Sequence, residues 1–360
     1  HSVWTKRVAT APAREPARTS YAPPVIAGGI SFAGGDARSV SDLSALTSLG
    51  ASDFTVFWRG RMPERPAQLN ANATKTEALW CLGSKNTGPS LVLDYNTSLT
   101  PKLFFRLPTD ASNHRAKEWR EAVPDWPCGQ VTDFTLRRKG AAVELYHEGA
   151  YALTNYPDIE TGTAPAWSAS IASSSLIVGN RDHTNNGGEG WIGTIYECAV
   201  ANFSLTGPDM IGLQSGVIPE RLKWATNTPL SSGVSLTVGK CYRLGTIGTA
   251  DYWYTGCTAG DTIHVLSETQ AMDLETEEYY TLSTLTTNGS NTATQIGLMV
   301  ALSGQERDAV MRDLTPNSAH GVLSGGAASM AVPTRLETRA DATVYETGRI
   351  VVDAGSGSAF

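Results

Sequence analysis

The sequence predicts an all-β chain built around a two-sheet β-sandwich, and three observations carry that expectation. Short segments rich in Val, Ile, Leu, Phe, Trp and Thr recur along residues 30–206, each bounded by Gly, Asn or Pro, which is the punctuation of many short strands. Charged residues make up only 18% of the 360 residues, while glycine occurs 35 times, a balance that favours strands and turns over long charged helices. Finally, residues 190–201 alternate Ile192, Thr194, Tyr196, Cys198 and Val200 with Trp191, Gly193, Ile195, Glu197 and Ala199. A period of two sends successive side chains to opposite faces. Both faces carry apolar groups, so this strand is expected inside a sandwich or jelly roll.

Residues 1–29 stand apart as an extended Pro/Ala/Arg-rich docking arm. They lack apolar periodicity, and Lys6, Arg7, Arg14 and Arg18 face the single acid Glu15. Such a segment is either a flexible tether or an arm lying on another subunit, and its first 24 residues reach about 80 Å when stretched. Residues 30–225 form the sandwich domain. Phe54, Val56 and Trp58 alternate with Thr55, Phe57 and Arg59, and strand-like runs follow at 78–82, 90–94 and 102–107. Residues 134–138 and 142–146 then face each other across Lys139 and Gly140 as a hairpin.

Residues 226–330 are expected to be a small β-rich domain, entered through a Thr/Asn/Pro/Ser linker, with strands at 235–238, 241–244, 262–266 and 278–282. Ser303 followed by Glu306 has the form of a helix capping box, with Val310, Met311 and Leu314 on an apolar face. A short helix is therefore expected there. Residues 331–360 hold a strand at 350–352 and a flexible tail.

Five motifs in the sandwich domain occur in a recognisable order: Phe32 and Gly34 ending the first strand; Asp53, Phe54 and Thr55 leading to Trp58; the hairpin ending in Tyr146 and Gly149; Ile177 to Asn180 followed by Gly193 to Glu197; and the exit from Asn202 through Met210 and Leu213 to Gly216. Together they resemble the laminin G-like, or concanavalin A-like, jelly-roll superfamily over residues 30–225. The resemblance implies a fold whose members serve as lectins, adhesion modules, glycosidases and appendage modules of phage virions, and a fold alone does not select among these. A jelly roll joined to a Pro/Arg arm and a further β-rich region resembles a phage fibre, spike or capsid-decorating protein. The implied role is a non-enzymatic structural or adhesive virion protein that displays a lectin-like jelly roll. Its partners would be copies of itself, a virion shell or tail protein reached by the arm, and host-surface glycans. The alternative is a secreted or cell-surface lectin-like adhesin, and a glycoside hydrolase is the third reading.

The chemistry-bearing residues set further expectations. A net charge of −7 argues against nucleic acid as a partner, and no apolar run is long enough to span a bilayer. The chain begins at His1, which implies processing or preceding residues. Cys81, Cys128, Cys198, Cys241 and Cys257 contain no C-x-x-C pair, so a zinc site is not expected. Cys241 and Cys257 flank a hairpin and are either a disulfide or free buried thiols. Jelly-roll glucanases place Glu-x-Asp-x-Glu on one strand; Asp273, Glu275 and Glu277 have the wrong order of acids and lie outside the jelly roll, so a solvated edge or loop is expected. Residues 233–240 have one residue too many between glycines for a phosphate loop, and Cys241 follows where Ser or Thr is required. The six histidines are scattered without metal-ligand spacing. The strongest binding candidate is the loop carrying Asp182, Asn185, Asn186, Glu189 and Trp191, where polar side chains and an indole suit a sugar. Its oxygens also suit calcium. The same composition suits an ordinary hairpin turn with Trp191 packed inside. No cofactor is expected.

Overall fold

The computed structural model describes residues 29–43, 53–61, 75–83, 88–95, 101–107, 117–122, 131–139, 142–147, 150–151, 175–181, 190–216, 218–223, 229–230, 232–248, 253–286, 289–304, 310–324, 327–329, 343–344 and 350–351. The first half of the chain forms β1 (Ile30–Gly35), β2 (Arg38–Asp42), β3 (Phe54–Arg61), β4 (Lys75–Leu82), β5 (Ser90–Tyr95), β6 (Pro101–Leu107), β7 (Lys117–Ala122), β8 (Val131–Lys139), β9 (Ala142–His147), β10 (Ala150–Tyr151), β11 (Ser175–Val178) and β12 (Gly190–Ala201). Helix α1 (Gly207–Gln214) and a 3-10 turn (Glu220–Leu222) follow. Next come β13 (Cys241–Leu244), β14 (Thr262–Ser267), β15 (Gln270–Asp273), β16 (Tyr279–Thr281) and β17 (Ala293–Ile296), then β18 (Leu298–Ser303), β19 (Val310–Asp313), β20 (Gly321–Ser324) and β21 (Ala328–Ser329). The short pair β22 (Thr343–Val344) and β23 (Ile350–Val351) lies in the C-terminal region.

The main body is a β-sandwich made from one antiparallel sheet that curls over itself. One layer runs β10-β9-β8-β3-β12-β18, and the other runs β20-β2-β11-β4-β5-β6-β7. β19 joins them, pairing with β18 on one side and β20 on the other. The inward rows are continuous across strands. Leu145, Leu136, Val56, Val200 and Val300 are successive cross-strand partners, as are Phe134, Trp58, Cys198 and Leu302. All nine lie in one core cluster with Trp80, Leu91, Leu176 and Trp191. Burying such rows drives closure of the sandwich, at about 25 cal/mol for each Å² of apolar surface removed from water.

The outer face of the first layer is buried as well. Phe57, Tyr146, Ala199, Ala201, Leu298 and Ala301 pack with Met210 and Leu213 of α1, Leu222, and Cys241, Leu274 and Ile296 of the second sheet. The second sheet has the order β16-β15-β14-β13-β17. Its other face holds its own core around Tyr242, Trp253, Ile263, Val265 and Ala271. β3, β8 and β12 thus carry two covered faces. That is why most of their residues are buried, the polar ones of β3 and β8 included.

Four sequence expectations require correction. The small β-rich unit does not extend to residue 330: β18 pairs with β12, and β19, β20 and β21 continue into the sandwich. The small sheet is therefore inserted between two parts of the sandwich. Where a short helix was expected from Ser303 towards Leu314, Ser303 ends β18 and residues 310–313 form β19; residues 305–309 fall outside the description. β19 alternates half-buried Val310 and Arg312 with buried Met311 and Asp313, and over so short a run Val310, Met311 and Leu314 fit a helical period equally well. Strict alternation along β12 also fails, because an irregularity between Ile195 and Glu197 shifts the register. Trp191 and Ile195 point into the core, and beyond the shift Cys198 and Val200 do so too. Of the two alternatives open for Cys241 and Cys257, the structure has free buried thiols, which lie in different cores. The expected strand at 235–238 makes only an isolated bridge between Ser235 and Thr286.

Polar contacts hold the inserted unit in place. Thr55 Oγ1 donates to the Phe203 carbonyl at 3.0 Å and accepts from the Leu205 N–H at 3.0 Å. Asn202 Oδ1 accepts from the Gly297 N–H at 3.0 Å where the chain returns to β18. Thr206 caps α1, its hydroxyl accepting from the Asp209 N–H. Arg59, wholly buried, is the cross-strand partner of both Asp133 and Glu197. It bonds Glu197 at 2.6 Å and Asp133 at 3.4 Å, and donates to the Gln214 carbonyl at the end of α1. Removing one member of such a buried set leaves uncompensated charge, so Arg59→Ala should lower unfolding stability by about 3–5 kcal/mol. Urea denaturation beside the unsubstituted chain measures this; a loss under about 1 kcal/mol would show that water compensates the two carboxylates.

Candidate functional site

The loop singled out from sequence is only partly visible in the described structure. Asp182, Asn185, Asn186 and Glu189 lie outside the described residues, as do Lys6, Arg7, Arg14 and Arg18 of the arm. The two ends of the loop are anchored. Asn180 Nδ2 donates to the Gly35 carbonyl at 3.0 Å, and the Trp191 N–H donates to the Gly179 carbonyl at 2.8 Å. Gly179 has φ +76°, and a Cβ there would lie 2.5 Å from the Phe32 ring, so a side chain is excluded. Trp191 is not the exposed platform a sugar would need. Its side chain is fully buried, edge-on to Trp58 with ring centroids 5.1 Å apart, because its position on β12 faces the sandwich core.

A second concave site lies at the seam between the sandwich and the inserted sheet. β3 contributes Asp53 just before its start, and the end of β8 contributes Arg137 and Lys139. The connection into α1 supplies Phe203, Ser204, Leu205, Thr206 and Gly207, while the inserted sheet supplies Arg243, Gly260, Thr262, Leu274, Glu275 and Glu277. The cavity has a volume of about 170 Å³, below the roughly 300–1,000 Å³ of sites that enclose a drug-sized ligand.

Its wall is held rigidly. Arg137 is oriented by three acceptors: Glu144 Oε2 at 2.7 Å from Nε, the Leu205 carbonyl at 2.9 Å from Nη1, and the Tyr146 hydroxyl at 2.9 Å from Nη2. The Tyr146 hydroxyl in turn donates to Glu144 at 2.6 Å. Arg243 Nη2 donates to the Asn202 carbonyl at 2.6 Å. Burial lowers the pKa of the Arg243 guanidinium, and the nearby Asp53 carboxylate opposes that shift. Lys139 and Glu275 form an ion pair of 2.8 Å that spans the seam. Ser204 Oγ is buried on the lining without a hydrogen-bond partner.

The acidic triplet at 273–277 takes a specific local form. Asp273 Oδ1 accepts from the N–H groups of Glu275 and Thr276, both at 2.7 Å, and Glu277 has φ 60°. The segment is thus a turn between β15 and β16, without the one-face spacing that a strand would impose. Glu275 and Glu277 were weighed for chemistry in the sequence, whereas Asp53 and Lys139 figured there only as motif and turn residues, and Arg137, Ser204 and Arg243 carried no functional signal. They come from separate stretches of the chain and share no motif. A second, smaller pocket of about 40 Å³ lies among Phe57, Ala199, Leu213, Ile218 and Leu314, with Glu197 at its edge. Burial raises the Glu197 pKa, with Arg59 opposing that effect. Among the described residues no three His, Cys, Asp or Glu side chains converge as a metal site. No helix among them is long and apolar enough to cross a membrane.

No family model and no curated protein matches the chain. Solved structures that resemble it include a tailspike protein of a bacteriophage of Escherichia coli, 10% identical with a TM-score of 0.35, matched over 56% of this chain and 28% of that one. A protein from Bacteroides ovatus described as carbohydrate binding is 10% identical with a TM-score of 0.41, over 86% of this chain and 61% of that one. The Ruminococcus gnavus IT-sialidase CBM40 bound to alpha2,3 sialyllactose is 14% identical with a TM-score of 0.36, over 53% and 99%. The chain thus spans less than two thirds of the length of the first two proteins. At such scores these likenesses assign neither a family nor an activity.

Two outcomes follow from the burial pattern. Trp191→Ala should cost about 3–5 kcal/mol of stability, seen as a lower thermal midpoint; unchanged stability would contradict its place in the core. Cys198 and Cys241 are both wholly buried, and burial pushes the Cys241 thiol up to about 12. Both should resist iodoacetamide in the native protein at pH 8 and react only after unfolding, as read by peptide mass spectrometry.

Proposed function

We propose that this chain is a non-enzymatic glycan-binding module of a virion structural protein, with a laminin G-like jelly roll as its frame. The observation that carries glycan binding is the seam cavity: a small recess whose lining mixes the Arg243 guanidinium, the carboxylates of Asp53, Glu275 and Glu277, and the apolar side chains of Phe203 and Leu274. Sugar recognition needs this mixture, because each hydroxyl both donates and accepts while ring carbons are apolar. Its shape comes from two packed sheets rather than a loose loop, which favours binding without ordering costs.

The non-enzymatic part of the reading is supported by the acids. Glycoside cleavage requires two carboxyl groups facing each other across the scissile bond, one of them held protonated. Glu275 is instead paired with Lys139 across the seam. The virion part rests on the Pro/Arg composition of residues 1–29 and the order of motifs in residues 30–225. A cell-surface adhesin would use the same cavity without needing the arm.

Two assays on the full chain test this reading. A glycan array should retain the protein on a restricted set of glycans, with no cleavage of those bound; a blank array overturns glycan binding, and released sugar overturns the non-enzymatic assignment. Deletion of residues 1–24 should abolish incorporation into particles, and unchanged incorporation would remove the docking role.

A further inference from the structure

We infer that the small pocket beside Glu197 clamps Arg18 of the chain's own N-terminal arm, with the aliphatic stem on the apolar wall and the guanidinium on the carboxylate. This goes beyond glycan binding and does not depend on it. Phe57, Ala199, Leu213, Ile218 and Leu314 wall the pocket, and Glu197 is the one charged side chain among its described lining residues. Its volume of about 40 Å³ lies far below the roughly 300–1,000 Å³ of sites that enclose a free ligand, so it suits a single side chain. Arg59 Nη1 donates to Glu197 Oε2 at 2.6 Å, and Oε1 has no partner among the described residues. The Glu197 side chain remains 18% exposed and therefore reachable. Burial raises its pKa, and Arg59 opposes that shift. A half-desolvated carboxylate with one partner gains from a second charged donor. The wall selects a cation on an apolar stem: Leu314 is 51% exposed and Ile218 half-buried, and a stem laid across them covers both while its head meets the acid.

The occupant is set by where the arm joins the fold. A Cβ on Gly29 would lie 2.9 Å from Tyr196 Cδ1, and a Cβ on Gly304 would lie 3.2 Å from the Gly29 carbonyl carbon. Tyr196 and Gly304 adjoin Glu197 and Ser303 in sequence. Those two are cross-strand partners on β12 and β18, and both line the pocket. The arm therefore joins the sandwich at the pocket's rim. Arg18 is the first cation upstream of Gly29, eleven residues away. That length spans about 36 Å when stretched, enough to turn back to a rim so close. A tether this short presents the guanidinium at an effective concentration of about a millimolar or more. Fixed at Arg18, the preceding residues with Lys6, Arg7 and Arg14 would leave the body from a defined point, ready to meet a neighbour.

Limited trypsin digestion of the full chain tests this, with cleavage after each arm cation timed by mass spectrometry and referred to the same bond in a synthetic peptide of residues 1–28. Where reclosing outpaces cleavage, the rate follows the open fraction, so the bond after Arg18 should be cut about ten-fold more slowly than the bond after Arg7. An intramolecular clamp keeps that ratio unchanged between about 0.5 and 50 µM protein. Glu197→Gln should speed cleavage after Arg18 about five-fold and leave Arg7 unaltered. Leu314→Ser should speed it about three-fold by removing part of the wall. This second variant changes a half-exposed side chain and keeps the test valid should the glutamine variant unfold, which thermal midpoints report. Equal normalised rates after Arg18 and Arg7 overturn the inference. Protection that ignores both substitutions places Arg18 elsewhere, and protection lost on dilution gives the pocket to a neighbour's arm; each of these overturns it too. None of these results bears on the glycan array, so the two readings fail separately.

Discussion

Arg59 sets the terms for the rest of the molecule. It lies on the outer face of the first layer, between Asp133 on β8 and Glu197 on β12, and is completely buried. A guanidinium in that position needs acceptors close at hand. Its contact with the Gln214 carbonyl supplies one beside the two carboxylates and brings the end of α1 onto the sheet. The same face carries Phe57, Ala199 and Ala301, which need apolar cover. Helix and inserted sheet are therefore required by the sandwich itself. Without them, a layer of the main body would expose both its charge and its apolar rows.

The seam cavity follows from that arrangement. Further along the same face the residues become charged: Arg137 pairs with Glu144 across β8 and β9, and Lys139 closes the strand. Here the inserted sheet cannot pack flush, because Arg243 and the turn carrying Glu275 face charged partners rather than side chains they can interlock with. Apolar packing on one part of the interface and ion pairing on the other leave a recess between them. The elements that carry stability thus also set the geometry of the candidate site, and the loop that looked attractive in the sequence contributes an indole to the core instead.

What was legible in the sequence was local. The alternation of Phe54, Val56 and Trp58 with Thr55, Phe57 and Arg59 matches the two faces of β3. The hairpin turning at Lys139 and Gly140 appears as β8 and β9, and the exit after Asn202 contains α1. The readings failed where a distant segment supplied the second half of a contact. The end of the small unit was misplaced because β12, the partner of β18, lies about a hundred residues earlier in the chain, so nothing local marks the return to the sandwich. Trp191 was ambiguous because an indole beside Gly and Asn is equally suited to a binding loop and to the inner face of a strand.

Composition, period and turn residues determined that this chain is all-β and where most of its strands lie, since those properties depend on neighbours within a few residues. Only the tertiary structure decided that the small sheet is an insertion, that Cys241 and Cys257 belong to separate cores, and that Asp53, Arg137, Ser204, Arg243 and Glu277 line one recess. The physical reason is that a site assembled at a seam is defined by packing between elements remote in sequence. No periodicity within any one of them encodes which face of another it will meet.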